Sequence, residues 1–266
     1  MTKLTKNLIT KLMINDFKKN KYVDYDITYF TNRIINNEYF SYSRFNDGEL
    51  ICGIKQIDKN INKSVKNCDN HDYFPKMGDE LNITLNNSDG VRYFIQYLDE
   101  WIDSEVFKGY TETLLNKNLI NGIYQKTDFL QYNLRNNPTD FKKFVSTLNE
   151  HKIILVGPKY LSNINFLKVD NFIEVPTLNC YSKKDEILSK IKEVLTKNTI
   201  VLFSSSMATN VLIDDLFVEY GNNNFLIDIG SLWDIFFYKS NPEIIQRSPN
   251  LNRLVTFQNW YLNYFQ

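Results

Sequence analysis

The run Lys152-Ile153-Ile154-Leu155-Val156, closed by Gly157-Pro158, decides the fold. It is too short for an ordinary helix, almost wholly apolar, and stopped by a turn dipeptide, which is the form of a strand covered on both faces. The same form recurs downstream. Residues 172–175 end at Pro176, residues 199–203 run into Ser204-Ser205-Ser206, and residues 224–229 run into Gly230-Ser231. Helical periodicity over 185–195 and 207–220 separates these runs. Upstream, residues 39–45 read as a strand ending at Asn46-Asp47-Gly48, and 49–54 begin a helix. Residues 5–18 and 27–36 also read as helices. The spacing of Val91, Phe94, Ile95, Leu98 and Ile102 predicts an amphipathic helix over 89–102. Short buried strands alternating with helices predict an α/β fold, a Rossmann-like and mostly parallel sheet with helices on both faces.

Right-handed crossovers place every strand-to-helix turn of such a sheet on one edge, where doubly wound folds bind ligands. The turns at 47–49, 157–158, 204–206 and 230–231 are therefore expected to converge. Neither G-x-G-x-x-G nor G-x-x-x-x-G-K-[ST] occurs, so a dinucleotide fingerprint and a Walker A loop are absent.

The 266 residues suffice for a sizeable core, and 43% hydrophobic with 15% aromatic residues describe a globular chain. Lys+Arg and Asp+Glu both number 31, so there is no basic excess to neutralise a nucleic-acid backbone. The three cysteines, Cys52, Cys68 and Cys180, form no C-x-x-C pair, which argues against a disulfide framework and for a reducing, cytoplasmic compartment. Two histidines, His71 and His151, leave little for a His-built metal cage. No apolar run approaches the roughly 18–20 residues that span a bilayer. Leu8, Leu12, Met13 and Phe17 recur at helical spacing, as a packing helix or a weaker surface helix would have them. The chain divides into an N-terminal helical segment, 1–37, and a main domain, 38–266.

Arg44-Phe45-Asn46-Asp47-Gly48-Glu49 is the segment richest in chemistry. Two carboxylates flank a Gly at a strand end, where both can reach one hard cation such as Mn²⁺ or Mg²⁺ together with diphosphate oxygens. Arg44 suits a phosphate or one of the carboxylates. The alternative is a helix start whose acids complement the macrodipole. Asp103-Ser104-Glu105 repeats the D-x-E pattern but falls at the end of the expected 89–102 helix, as a solvated face would. Asp228 sits at the end of an apolar run and needs a partner or a function. Asp234 suits a general base or a helix cap. Ser204 to Ser206 offer hydroxyls and backbone N–H groups to a phosphate, or simply cap a helix. Asn179 and Tyr181 suit a base or sugar contact, or a turn.

Taken in order, these segments resemble the GT-D type glycosyltransferases, a group first described as a domain of unknown function. Residues 43–50 resemble its R-[FY]-G-D-G-E signature, with Asn46 where the family usually has Gly. Residues 67–75, 156–158, 175–180 and 204–208 resemble its later blocks. Residues 227–234 resemble its D-[IV]-G-S-x-x-D block, with Arg247 as the downstream arginine. The resemblance spans about residues 38–250. It implies a GT-D type fold and transfer of a sugar from a nucleotide-sugar donor, typically a UDP-sugar, to a carbohydrate or other hydroxyl acceptor. Mn²⁺ or Mg²⁺ would sit at Asp47 and Glu49, and Asp234 would activate the acceptor. Arg44, Gly157, Asn179, Ser204, Ser205, Asp228 and Ser231 would line the donor site. A Rossmann-type methyltransferase and a non-catalytic nucleotide- or sugar-binding module are the competing readings, and the oligomeric state is left open.

Overall fold

A computed structural model of the chain describes residues 3–57, 71–98, 102, 108–234 and 237. The Asp103–Glu105 motif, Cys68, Arg247 and residues 67–70 of the 67–75 block lie outside the described residues.

Eight parallel strands form one sheet. They are β1 (Tyr22–Val23), β2 (Ser41–Phe45), β3 (Tyr93–Tyr97), β4 (Tyr124–Gln125), β5 (Lys152–Gly157), β6 (Val169–Glu174), β7 (Thr199–Phe203) and β8 (Phe225–Asp228). Their order across the sheet is β1-β4-β3-β2-β8-β7-β5-β6. The helices are α1 (Lys3–Asn20), α2 (Ile27–Ile35), α3 (Asp47–Ile57), α4 (Pro75–Thr84), α5 (Lys108–Asn116), α6 (Phe129–Asn136), α7 (Pro138–Leu148), α8 (Lys184–Val194) and α9 (Ala208–Tyr220). The α/β class with a parallel sheet is thus as expected. The N-terminal segment supplies β1 to the sheet and α2 to one of its faces.

Alternate side chains of each central strand enter opposite cores, as the pleat requires. Ile154, Val156, Val201, Phe203 and Leu226 pack with residues of α1, α3, α4, α5, α8 and α9. Ile153, Leu155, Ile200, Leu202, Phe225 and Ile227 pack with residues of α2, α6 and α7. Direction and face are correlated. Connections stepping towards β1 (β2 to β3, β3 to β4, β6 to β7, β7 to β8) carry their helices on the first face. Those stepping towards β6 (β1 to β2, β4 to β5) carry theirs on the second. One crossover hand throughout produces this pattern. No helix among the described residues is long and apolar enough to cross a membrane.

The helix expected over 89–102 is corrected. Residues 93–97 are strand β3, fully paired with β2 and flanked by β4. Tyr93, Ile95 and Tyr97 face one core and Phe94 the other. A strand covered on both faces carries no polar alternation, so Phe94-Ile95 fits a helical stripe equally well, and β-branched and aromatic content was the better guide. Asp89, at the position of a helix cap, instead folds a turn. Its Oδ1 accepts the N–H groups of Val91, Arg92 and Tyr93 at 2.8, 2.7 and 2.9 Å.

The chain leaves β2 towards the first face, through α3. It leaves the neighbouring β8 towards the second, where Leu232 and Trp233 are buried. The carboxyl ends of β2 and β8 therefore flank a topological switch point, the crevice in which open α/β sheets hold ligands.

Candidate functional site

A cavity of about 130 Å³ opens at that switch point, lined by Arg44, Asn46, Asp47, Gly48, Glu49, His71, Ser206, Met207, Asp228, Gly230 and Ser231. Three of the four turns expected to converge meet there. The fourth, Gly157-Pro158, borders a separate cleft of about 560 Å³ with Tyr160, Glu174 and Thr177.

Asn46 begins α3, its carbonyl accepting the N–H of Leu50 at 3.1 Å. Glu49 reaches back so that its Oε2 accepts the Asn46 N–H at 3.0 Å, the reciprocal bond of a capping box. Its Oε1 accepts from Asn210 Nδ2 of α9 at 3.4 Å, and the same amide donates to the Arg44 carbonyl at 3.1 Å. Glu49 is only 8% exposed. Burial is the largest influence on its carboxyl and, with the charges of Asp228 and Asp47, pushes its pKa up to about 7, against the lowering effect of backbone N–H donors. Asp47, by contrast, is exposed, with Oδ1 accepting the Gly48 N–H at 3.0 Å.

Arg44 is committed to carboxylates. Its Nη1 lies 2.9 Å from Asp128 Oδ2, its Nε 3.5 Å from Asp228 Oδ2, and its backbone N donates to Asp228 Oδ2 at 3.2 Å. Burial alone would lower the guanidinium pKa, but Asp228 and Asp128 more than reverse this and hold it above its ordinary value. Burial likewise raises the Asp228 pKa, against the pull of Arg44. Asp228 Oδ1 accepts the Gly230 N–H at 2.8 Å. Gly230 itself has φ +47°, and a Cβ there would lie 1.4 Å from Arg44 Nη2, so only glycine lets the turn close over the guanidinium.

The cavity wall thus carries the carboxylates of Asp47, Glu49 and Asp228 against one guanidinium, itself shared with Asp128. Among the described residues no group of three or more His, Cys, Asp or Glu side chains is arranged to hold a metal ion. A purely protein-built cage is therefore lacking. The donor set does fit a cation shared with a ligand, because Mg²⁺-like ions take one or two carboxylates and complete their shell with phosphate oxygens and water.

Arg44, Asp47, Glu49, Asp228 and Ser231 line the cavity, whereas Gly157, Asn179, Ser204, Ser205 and Asp234 lie outside its lining. Gly157 packs its backbone against Leu161 and Ser204. Ser204 is 1% exposed, its N–H donating to the Val156 carbonyl at 2.8 Å. Ser205 turns back to Thr209, with its hydroxyl 2.7 Å from Oγ1 and its N–H donating to the same atom at 3.1 Å. Asp234 is 1% exposed, and its Oδ1 accepts from the Tyr160 hydroxyl at 2.9 Å. Asn179 borders a small neighbouring pocket that shares His71, Ser206 and Met207 with the main cavity. Asp128 and Asn210 were not singled out from the sequence, since they come from distant segments and neither carries a local motif, whereas Ser206 was read within the 204–206 turn and His71 only as part of the 67–75 block.

An all-parallel α/β sheet with a cavity at its switch point belongs to the class of open α/β folds that hold ligands at strand carboxyl ends. Comparison with solved structures narrows the fold further. The chain is similar to a selenomethionine-substituted domain of unknown function 1792, with 16% identity, a TM-score of 0.57, and 87% of this chain and 86% of that one covered. A second structure of this conserved domain, described as having a distinct glycosyltransferase fold, gives 16% identity, a TM-score of 0.56 and the same coverage. A third, described as a new glycosyltransferase (DUF1792) from Streptococcus sanguinis, gives 17% identity and a TM-score of 0.56, covering 83% and 85%. At such identities the likeness is one of fold, and the chain has the fold of those structures. No protein-family model matches the sequence, and no curated protein matches it.

Proposed function

We propose that the chain is a metal-dependent glycosyltransferase that moves a sugar from a nucleoside-diphosphate donor, a UDP-sugar foremost, to a hydroxyl of a carbohydrate acceptor. The observation that carries this reading is the acidic cavity at the switch point, with Asp47 and Glu49 on its wall either side of Gly48. The fold shared with structures described as glycosyltransferases supports it.

With its three carboxylates ionised, the wall holds an excess of two negative charges over Arg44. A diphosphate adds more, and like charges within a few ångströms in a partly dry cavity repel by several kcal/mol. A divalent cation removes this conflict, and Asp47 and Glu49 would hold it. When bound, it supplies Lewis-acid neutralisation of the charge on the departing diphosphate. The protein's own share is orientation. The capping-box bond and Asn210 hold Glu49 in place, Arg44 and Asp228 lock the ends of β2 and β8 together, and Gly230 lets the turn after β8 close over Arg44. Asp234, buried against Tyr160, has no part in the step as proposed.

The test is sugar transfer and donor hydrolysis across UDP-, GDP- and dTDP-sugars, with Mn²⁺ or with EDTA. Turnover of a UDP-sugar that requires the cation and is lost in Asp47→Asn is the expected result. Undiminished turnover in EDTA removes the metal from the reading. Absence of donor cleavage with every nucleotide sugar, in a protein that binds Mn²⁺ and UDP, leaves a binding module in its place.

A further inference from the structure

Resting on that reading, we infer that His71 and Ser206 form a one-way hydrogen-bond relay that presents the Ser206 hydroxyl proton to the diphosphate of the ligand. Ser206 is then a binding contact, and His71 its positioning residue.

The direction of the relay follows from donor chemistry. The backbone N–H of Asn179 points at His71 Nδ1 at 3.1 Å. A backbone N–H can only donate, so Nδ1 accepts, and the neutral imidazole carries its proton on Nε2. Nε2 lies 3.2 Å from Ser206 Oγ, so the hydroxyl accepts there and must direct its own proton elsewhere. Among the described residues the Ser206 hydroxyl has no second partner, and both side chains line the cavity beside Asp47, Glu49 and Asp228.

Three features hold the relay in place. Asn179 sits in the left-handed region at φ +59° and is clasped by Asp72, whose N–H donates to Asn179 Oδ1 at 2.7 Å and whose Oδ2 accepts from Asn179 Nδ2 at 2.5 Å. His71 is 4% exposed. Ser206 is itself held at φ +56°, a conformation that costs a non-glycine residue about 1 kcal/mol or more. Such strain at a cavity wall is where aimed side chains are found. The chemistry of the wall supplies the reason for a donor here. Arg44 is paired with Asp128 and Asp228 and the remaining charged groups of the lining are acids, so an anionic ligand draws its side-chain hydrogen bonds from neutral groups, the Ser206 hydroxyl among them.

The test is calorimetric titration of the full chain with UDP in the presence of Mn²⁺, and with uridine. Ser206→Ala and His71→Ala are each expected to weaken UDP binding about tenfold, the loss of one hydrogen bond to a charged group, and to leave uridine binding unchanged. The double variant should lose no more than Ser206→Ala, since His71 acts only through the Ser206 hydroxyl. His71→Gln, whose amide nitrogen can replace Nε2 as donor, should recover most of the affinity, which a merely structural role for His71 would not allow. Ser206→Gly suits φ +56° and removes the hydroxyl without strain, so it guards against a folding artefact. UDP affinity unchanged in Ser206→Gly, or losses that multiply in the double variant, overturns the relay while the nucleotide reading stands. A wild-type chain that binds Mn²⁺ but no UDP overturns both.

Discussion

Replacing Glu49 by Gln should make the metal-free protein more stable above neutral pH while abolishing its proposed activity. Burial and the neighbouring acids lift the Glu49 pKa from 4.5 to about 7. Below pH 4.5 the side chain is protonated in both folded and unfolded chains. Between the two values the folded chain keeps a proton that the unfolded chain has released, so stability falls as pH rises through this window. Above about pH 7 the folded protein bears the whole cost of a buried carboxylate. At about 1.4 kcal/mol per unit, the span amounts to roughly 3 kcal/mol. Gln keeps an oxygen for the Asn46 N–H but still buries an amide, which leaves an expected gain of about 1–3 kcal/mol. For a chain of this size that is a rise in Tm of roughly 2–10 °C. The assay is thermal and urea unfolding of both proteins in EDTA at pH 5.0 and pH 8.5. The difference should be under about 1 kcal/mol at the lower pH, where the window has only begun, and full at the higher. An equal offset at both values, or a variant less stable at pH 8.5, would refute the argument that a strained carboxylate is stored in the cavity.

Gly230→Ala sets a Cβ 1.4 Å from Arg44 Nη2 at a residue with φ +47°, so it should destabilise by about 2–4 kcal/mol, read as a lower urea midpoint. Leu202→Ala, in the centre of β7 and fully buried, should cost about 2–5 kcal/mol by the same measure, with nucleotide binding retained in whatever fraction is folded. Mn²⁺ should raise the Tm of the wild type at pH 8.5 and leave that of Asp47→Asn nearly unmoved, because the ion stabilises only the state that binds it; an equal rise in both places the ion elsewhere.

Much of this protein is written locally. The runs at Lys152, Thr199 and Phe225 specify buried strands because apolar residues bounded by turn formers have few other uses, and their strand assignment needs no tertiary information. The Asp47-Gly48-Glu49 turn at the end of β2 was legible for the same reason, since strand, glycine and helix start lie within a few residues of one another. Tertiary structure decided what local pattern left degenerate. Residues 93–97 fit either a helical stripe or a doubly covered strand, and the strand prevails only because β2 and β4 flank it. Asp128, Asn210 and His71 reach their partners across 84, 161 and 108 residues of chain, distances over which sequence carries no pairing signal. The four serine and asparagine positions read as donor contacts from turn chemistry were sorted by packing. Ser204 is buried away from the cavity, Ser205 and Asn179 bond neighbouring side chains of the protein, and of the four Ser206 alone lines the cavity wall. Sequence determines which groups stand at a strand end, because that depends on neighbours in the chain. Which of them face a ligand is settled by hydrogen bonds closed between segments that meet only when the sheet is assembled.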